Sequence, residues 1–213
     1  MIDYNKLLNK VSREIKPSGI RKYFDIAATL DDVISLGIGE PDFYTPWPIR
    51  QAAIKALERG KTFYTSNSGL IKLREVISEY TFKRTGVKYD PTSEIIVTVG
   101  GSEAIDLTVR ALVEEGDEVI IPEPSFVCYK PIVALAGGTP VTINTSSDNS
   151  FKLTAEALKN AITDKTKLLI LPYPNNPTGA IMTKEDLEPI ANILKGTNIA
   201  VLTDEIYSEL TYG

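Results

Sequence analysis

The segment "LLILPYPNNPTGAI" (Leu168 to Ile181) decides the fold. Its first four residues form an uninterrupted apolar run, which is typical of a parallel strand covered on both faces. Three prolines and two asparagines follow within six residues, and Thr178-Gly179 closes the turn. Because asparagine–proline and proline–threonine–glycine steps fix the backbone, we predict a rigid loop at the end of this strand.

Similar apolar runs alternate with amphipathic patterns from about residue 45 onward. The predicted strands are Ile95–Val99, Glu118–Ile121, Pro140–Ile143, Leu168–Leu171 and Ile199–Thr203. The predicted helices begin near Pro48 and Leu70 and then cover Glu103–Val113, Phe126–Ala136, Thr154–Ile162 and Thr183–Leu194. This alternation favours an α/β domain with a mostly parallel sheet. The first 44 residues fit it less well and are predicted to form an arm, a helix around Ile20–Ala27 and a short strand, Val33–Leu36.

Composition excludes several classes of function. The net charge of -5 offers no basic surface for nucleic acid, and no apolar run reaches the ~18 residues of a membrane span. The single cysteine, Cys128, cannot form an internal disulfide, which suits a reducing cytoplasm. The sequence contains no histidine, so Ser–His and Cys–His pairs and histidine-ligated zinc are excluded, and no metal site is predicted.

Ligands of such sheets bind beyond the carboxyl ends of the strands. After Ile95–Val99, the segment "GGSEAI" (Gly100 to Ile105) opens a helix, and its free N–H groups form either an anion site or a plain tight turn. After Glu118–Ile121, Phe126 and Tyr129 are either a ligand platform or core aromatics.

The two later strand ends leave the same kind of choice. The rigid loop either aims Asn176 at a ligand or is only a stiff turn. Asp204 follows the last predicted strand, where it is either a carboxylate with a bound partner or an N-cap for the next segment.

Taken together and in this order, these features resemble the pyridoxal-phosphate site of the class I and II aminotransferases of fold type I. The matching motifs run along the whole chain: "ISLGIGEPDFYTP" (Ile34–Pro46), "FYTSNSGLIKLREVI" (Phe63–Ile77), "VTVGGSEAI" (Val97–Ile105), "PNNPTG" (Pro174–Gly179) and "DEIY" (Asp204–Tyr207). The resemblance implies the three-layer α/β/α large domain of that fold.

The resemblance also assigns roles to the residues after the last two strands. Asn176 is similar to the residue that hydrogen-bonds O3′ of the cofactor, and Tyr207 to the second donor to that oxygen. Asp204 is similar to the carboxylate that pairs with the pyridine nitrogen. A cis bond between Asn176 and Pro177 is implied as well.

Further roles follow from the resemblance in the first half of the chain. The implied phosphate cradle consists of Gly101, Ser102 and Glu103. Phe126 corresponds to the aromatic residue that stacks on the cofactor ring, and Gly39 to the glycine whose backbone contacts the substrate carboxylate. Tyr64 matches a tyrosine that reaches the phosphate of the neighbouring subunit, which implies a homodimer.

The implied activity is transfer of an amino group from an amino acid to a 2-oxo acid through pyridoxal 5′-phosphate. Residues 1–44 would form an N-terminal arm and a small-domain segment, and residues 45–213 the large cofactor-binding domain, incomplete at its C-terminus. "YTSNSGLIKLR" and "EPSFVCYKP" resemble the branch that holds bacterial aspartate, aromatic and N-acetyl-diaminopimelate aminotransferases, and we favour the last.

The sequence also departs from the family pattern. The Schiff-base lysine, the arginine for the substrate α-carboxylate and two strands of the sheet all lie beyond the position of Asp204 in the family, and none has a counterpart here. We therefore expect a truncated piece with open sheet edges that is inactive alone. A non-catalytic assembly or cofactor-binding module is the alternative. A nucleotide-binding α/β protein is disfavoured because "VTVGGSEA" lacks the third glycine of that fingerprint.

Overall fold

The computed structural model describes residues 3, 6–16, 19, 23, 26–27, 29–30, 32–34, 41 and 43–210. The chain divides into two compact units, one formed by Met1–Lys16 together with Val99–Gly213 and the other by Pro17–Thr98. The domain boundary expected between residues 44 and 45 stays a prediction.

The larger unit is built on a parallel sheet. Its strands are β1 (Glu118–Glu123), β2 (Thr139–Asn144), β3 (Thr166–Leu171) and β4 (Ala200–Thr203). Their order across the sheet is β2-β1-β3-β4, and every neighbouring pair is parallel. The predicted parallel sheet is therefore confirmed, and its central strands β1 and β3 are the apolar runs that the sequence marked as covered on both faces.

The helices predicted after residue 45 are all present, with shifted ends. In chain order the helices are α1 (Lys10–Glu14), α2 (Trp47–Glu58), α3 (Ile71–Thr85), α4 (Gly101–Leu112), α5 (Tyr129–Leu135), α6 (Ala155–Ala161) and α7 (Lys184–Leu194). A 3₁₀ turn, Ser147–Asn149, follows β2. The N-terminus of α7 carries a capping box in which the Asp186 carboxylate accepts from the Thr183 N–H at 2.8 Å.

Helices cover both faces of the sheet, which confirms the three-layer arrangement. Neighbouring residues of a strand point to opposite faces. Leu168 accordingly belongs to an apolar cluster with Val109 of α4 and Val133 of α5. Leu169, the next residue, belongs to a second cluster that contains Leu158 of α6 and residues of α7. All five named side chains are fully buried, or nearly so, and they hold the sheet between its two helical layers.

The predicted strand Ile95–Val99 is wrong. Residues 95–98 have no regular secondary structure, and the Val97 N–H donates instead to the Ser68 carbonyl at 3.1 Å. A strand requires backbone hydrogen bonds to a neighbouring strand, and none of the four described strands pairs with residues 95–99. At the far side of the sheet β4 is an edge strand, and 45% of Val201 is exposed. The open edge expected at Ile199–Thr203 stays a prediction.

The smaller unit contains α2 and α3. Arg74 of α3 is buried and donates to the backbone carbonyl of Pro91, which ties the helix to the segment before residue 95. The helix expected around Ile20–Ala27 falls mostly outside the described residues. Of the expected strand Val33–Leu36, the two described residues are not in a strand and the other two lie outside the described residues. Across the described part of the chain, no helix is both long and apolar enough to span a bilayer.

Candidate active site

A cavity of about 210 Å³ lies at the carboxyl ends of the strands in the larger unit. Its walls come from the start of α4, the segment between β1 and α5, the loop after β3 and the segment after β4. The lining residues are Gly101, Ser102, Ile105, Phe126, Tyr129, Pro172, Pro174, Asn176, Asp204, Ile206 and Tyr207. The structure therefore brings together six residues that were singled out as site residues in the sequence: Gly101, Ser102, Phe126, Asn176, Asp204 and Tyr207.

Asp204 lies directly after β4, and both of its carboxylate oxygens have donors. The Asp204 N–H donates to the Leu171 carbonyl at 3.2 Å and so continues the pairing of β4 with β3. Oδ1 accepts from the Ile206 N–H at 3.2 Å, and Oδ2 accepts from the Tyr129 hydroxyl at 2.8 Å. The sequence left two alternatives for Asp204, an N-cap or a carboxylate with a partner. The structure shows both, because Oδ1 caps the turn that follows and Oδ2 is bonded to Tyr129.

The loop after β3 holds Asn176 against the segment after β4. The Asn176 Nδ2 donates to the Tyr207 hydroxyl oxygen at 3.1 Å, so these two polar groups converge on one wall of the cavity. Buried Asn175 stiffens the loop because its Oδ1 accepts from the Thr178 hydroxyl at 2.9 Å. The Asn176–Pro177 peptide bond is cis, as the resemblance implied.

The N-terminus of α4 opens onto the same cavity. Gly100 has a φ of +82°, a conformation that favours glycine, and it turns the chain into the helix at Gly101. A Cβ built on Gly101 would meet no atom within 4 Å, so there is open space beside this turn. The first N–H groups of a helix have no partner within the helix and carry a partial positive charge, which favours an anion. Glu103 is not among the cavity residues, and its carboxylate accepts from the Val99 N–H.

Two aromatic side chains form another wall. Phe126 is half-buried, and its ring meets that of Tyr129 edge to face, with centroids 6.0 Å apart and planes at 81°. Tyr129 is buried, and burial together with the hydrogen bond and charge of Asp204 raises the pKa of its hydroxyl above the ordinary value. From the sequence, Tyr129 was either part of a ligand platform or a core aromatic residue, and its bond to Asp204 was not predicted. The only signal was its position beyond a strand end, three residues after Phe126.

Cys128 lies beside this wall as a free thiol. Burial and the charge of Asp204 raise the pKa of the thiol to about 11, against a smaller opposing effect of a hydrogen bond with Ser102. The Cys128 side chain is therefore neutral at neutral pH and adds no charge beside the cavity.

Some predicted residues lie elsewhere. Tyr64 belongs to the smaller unit and its side chain is fully exposed, while Gly39 lies outside the described residues. Lys184 and Lys195 are exposed and away from the cavity, and the Lys184 ammonium lies 3.6 Å from the Glu188 carboxylate. None of the described residues that line the cavity is a lysine.

The chemistry of the cavity fits pyridoxal phosphate. A helix N-terminus suits the phosphate, and the amide and hydroxyl of Asn176 and Tyr207 suit a phenolic oxygen. Phe126 offers an apolar ring, and Asp204 offers a carboxylate for a protonated ring nitrogen. The donor and acceptor types of the cofactor are thus matched one by one.

Comparison with known proteins agrees with this match. The family model for class I and II aminotransferases matches residues 31–213, and the chain belongs to this family. Class I and II aminotransferases depend on pyridoxal phosphate.

Relatives from several organisms are similar over nearly the whole chain. A putative aminotransferase, YugH, of Bacillus subtilis is 53% identical over 96% of this chain and 53% of its own length. A probable N-acetyl-LL-diaminopimelate aminotransferase of the same organism is 50% identical over 97% of this chain and 52% of its own length. The structure of Thermus thermophilus aspartate aminotransferase with maleate superposes with a TM-score of 0.91 at 37% identity, over 97% of this chain and 55% of that one. The chain spans about half the length of the curated relatives it matches.

Proposed function

We propose that this chain supplies the cofactor-binding part of an enzyme that transfers an amino group from an amino acid to a 2-oxo acid. The observation that carries the proposal is the convergence of Asp204, the Asn176–Tyr207 pair and the N-terminus of α4 on one cavity. Family membership supports amino-group transfer in general.

Asp204 has the central role in this proposal. Its carboxylate would pair with the ring nitrogen and stabilise a proton there. Two unit charges ~4 Å apart at an effective dielectric of ~20 attract by ~4 kcal/mol, which corresponds to a rise of about three units in the pKa of the ring nitrogen. When bound with a protonated ring, the cofactor supplies an electron sink for the carbanion formed at the substrate Cα.

The other cavity residues bind and orient. Asn176 and Tyr207 would hydrogen-bond O3′ and orient the ring, and Phe126 would stack on it. The backbone N–H groups at the α4 N-terminus would hold the phosphate, and we keep Gly101, Ser102 and Glu103 as its proposed cradle. The proposal includes a cytoplasmic homodimer in which Tyr64, whose side chain is fully exposed, reaches the phosphate of the neighbouring subunit and Gly39 contacts the substrate carboxylate.

The proposed substrates are those of the aspartate, aromatic and N-acetyl-diaminopimelate aminotransferases. Among these three classes, we favour the N-acetyl-diaminopimelate aminotransferases. The support is the 50% identity to a relative that carries this name. Relatives named aspartate and aromatic-amino-acid aminotransferases are 48% and 44% identical. A panel of the three amino-acid types, each paired with 2-oxoglutarate, tests this choice through the ratio of their kcat/KM values.

We also propose that the 213-residue chain alone binds the cofactor without sustained turnover. This is supported by the lack of a lysine among the described residues that line the cavity. The second candidate, a non-catalytic module, shares that observation. Aminotransferase activity of this sequence joined to the remaining half of a full-length relative separates the two, because a module has none in any context.

The test is substitution of the proposed ring partner in this joined protein. Asp204→Asn removes ~4 kcal/mol of stabilisation, so we expect kcat to fall about a thousandfold while the cofactor still binds. Asp148→Asn makes the same chemical change in the exposed 3₁₀ turn and is expected to leave kcat within twofold. Near-normal turnover of Asp204→Asn would contradict the proposal, as would a matching loss in the control.

A further inference from the structure

We propose that Tyr129 is a positioning residue that holds the Asp204 carboxylate in the orientation required by the ring nitrogen. The inference rests on the proposed function, because it concerns the carboxylate that this function places at the ring. Tyr129 reaches Asp204 across 75 positions of sequence, from the first turn of α5 to the end of β4.

The geometry around Asp204 leaves its carboxylate little freedom. The Tyr129 hydroxyl fixes Oδ2 at 2.8 Å, and the Ile206 N–H fixes Oδ1 at 3.2 Å. With one donor on each oxygen, the carboxylate plane cannot rotate without breaking a bond. A carboxylate has about four acceptor sites, so two remain for the ring nitrogen.

Tyr129 is itself held in place. Only 2% of the residue is exposed, it belongs to the apolar cluster on the α4–α5 face of the sheet, and its ring packs edge to face on Phe126. A buried aromatic ring cannot turn its hydroxyl to solvent. The bond to Asp204 is therefore part of the folded cavity and not a surface contact.

The hydroxyl acts as a donor and not as a base. The ionisable groups around it are Asp204, Cys128 and Tyr207, and the Asp204 carboxylate accepts the hydrogen bond of the hydroxyl and would repel a tyrosinate. Burial adds to this effect and keeps the pKa of Tyr129 above its ordinary value. The tyrosine thus remains protonated over the working range of pH and adds no competing charge next to Asp204.

Tyr173 offers a matched control because it is another buried tyrosine, 9% exposed, whose hydroxyl bonds only to backbone groups. Its hydroxyl donates to the Phe151 carbonyl and accepts from the Leu153 N–H, both at 3.0 Å. It does not line the cavity at Asp204. Loss of either hydroxyl affects stability, but only the loss at Tyr129 changes the environment of the ring nitrogen.

The test uses 4′-deoxypyridoxine 5′-phosphate, which carries the ring and the phosphate but needs no lysine to bind. Its absorbance reports protonation of the ring nitrogen, and its affinity is measured by fluorescence titration of the 213-residue chain. We expect Tyr129→Phe to lower the pKa of the bound ring by about one unit and to weaken binding of the protonated form about tenfold, which is ~1.4 kcal/mol. Tyr173→Phe leaves both values unchanged.

A double-mutant cycle shows whether Tyr129 acts through Asp204. In the Asp204→Asn background, Tyr129→Phe should shift the ring pKa by less than about 0.2 units, because the carboxylate is no longer there to be oriented. An unchanged or raised ring pKa in Tyr129→Phe alone, or a full shift in the Asp204→Asn background, overturns the inference while the proposed function stands. If Asp204→Asn itself leaves the ring pKa unchanged, or the wild-type chain does not bind the analogue, the proposed function fails and the inference fails with it.

Discussion

Two glycine substitutions should separate the fold from the cofactor site. Gly101→Ala is expected to preserve or raise stability while it weakens binding of the cofactor phosphate. Gly138→Ala is expected to do the opposite. The two changes are chemically identical, each adding one methyl group, so the contrast depends only on where the structure places them.

The magnitudes follow from the surroundings of each glycine. A Cβ on Gly101 meets nothing within 4 Å, and alanine is favoured over glycine in a helix by about 0.5–1 kcal/mol, so the free energy of unfolding should stay equal or rise by up to that amount. A Cβ on Gly138 lies 2.5 Å from Val113 Cγ1 and 3.2 Å from Val133 Cγ1. Both valines are buried, and such overpacking typically costs about 1–3 kcal/mol.

Binding should follow the reverse order. Gly101 lines the cavity at the helix N-terminus, so a methyl group there occupies space that the phosphate needs to approach the N–H groups. We expect at least about a tenfold loss of affinity, ~1.4 kcal/mol. Gly138 lies before β2 and is not among the cavity residues, so its folded population should bind normally.

The assay combines urea unfolding with titration of 4′-deoxypyridoxine 5′-phosphate and of the same compound without its phosphate. For Gly101→Ala, the affinity advantage of the phosphorylated compound should shrink while the affinity of the unphosphorylated one stays the same. A variant that keeps the full phosphate advantage would refute the assignment of the α4 N-terminus as the phosphate site. Equal stability of Gly138→Ala and wild type would refute the packing argument.

Three further predictions concern groups near the cavity or in the core. Tyr173→Phe leaves the buried Leu153 N–H without its acceptor and should lower the free energy of unfolding by about 1–3 kcal/mol in urea titration. With a pKa of about 11, Cys128 should alkylate at pH 8 about 100-fold more slowly than a thiol of ordinary pKa 9, and a rate within fivefold of a free thiol would contradict its burial. Asp204→Asn should lower the pKa of Tyr129, seen as earlier tyrosinate absorbance on alkaline titration. An unchanged Tyr129 titration in Asp204→Asn would argue against the bond to Asp204. Since the pKa of Tyr129 in the folded protein is raised above 10, its contribution to the free energy of unfolding is present below about pH 10 and is lost as the pH rises further.

Local signals in the sequence predicted most of the helices and strands of the larger unit. The strand Leu168–Leu171 and the helix Thr183–Leu194 are specified by residues a few positions apart, and both predicted elements are confirmed. Local burial and capping energies are set by the segment itself, so periodicity and cap residues suffice to predict them.

The prediction was wrong where an element depends on a partner. Ile95–Val99 has the composition of a strand, but a strand exists only through its hydrogen bonds to a neighbour, and Val97 pairs with Ser68 instead. Composition contains no information about which neighbour is present.

The site shows the same limit. Asp204, Asn176 and Tyr207 each follow a strand or a motif that identifies them, and the structure gathers them into one cavity. The bond between Tyr129 and Asp204 joins residues 75 positions apart, and nothing in either local sequence indicates it. Gly39 and Tyr64 take their predicted roles from resemblance alone, and those roles stay predictions.

The central claim is that one cavity binds the phosphate, O3′ and the ring nitrogen of pyridoxal phosphate. A crystal structure of this protein with 4′-deoxypyridoxine 5′-phosphate measures all three contacts at once. The account predicts the phosphate at the N-terminus of α4, the ring on Phe126, and the ring nitrogen within about 3 Å of an Asp204 carboxylate oxygen. A bound analogue with its ring nitrogen away from Asp204, or with its phosphate away from Gly101, would contradict it.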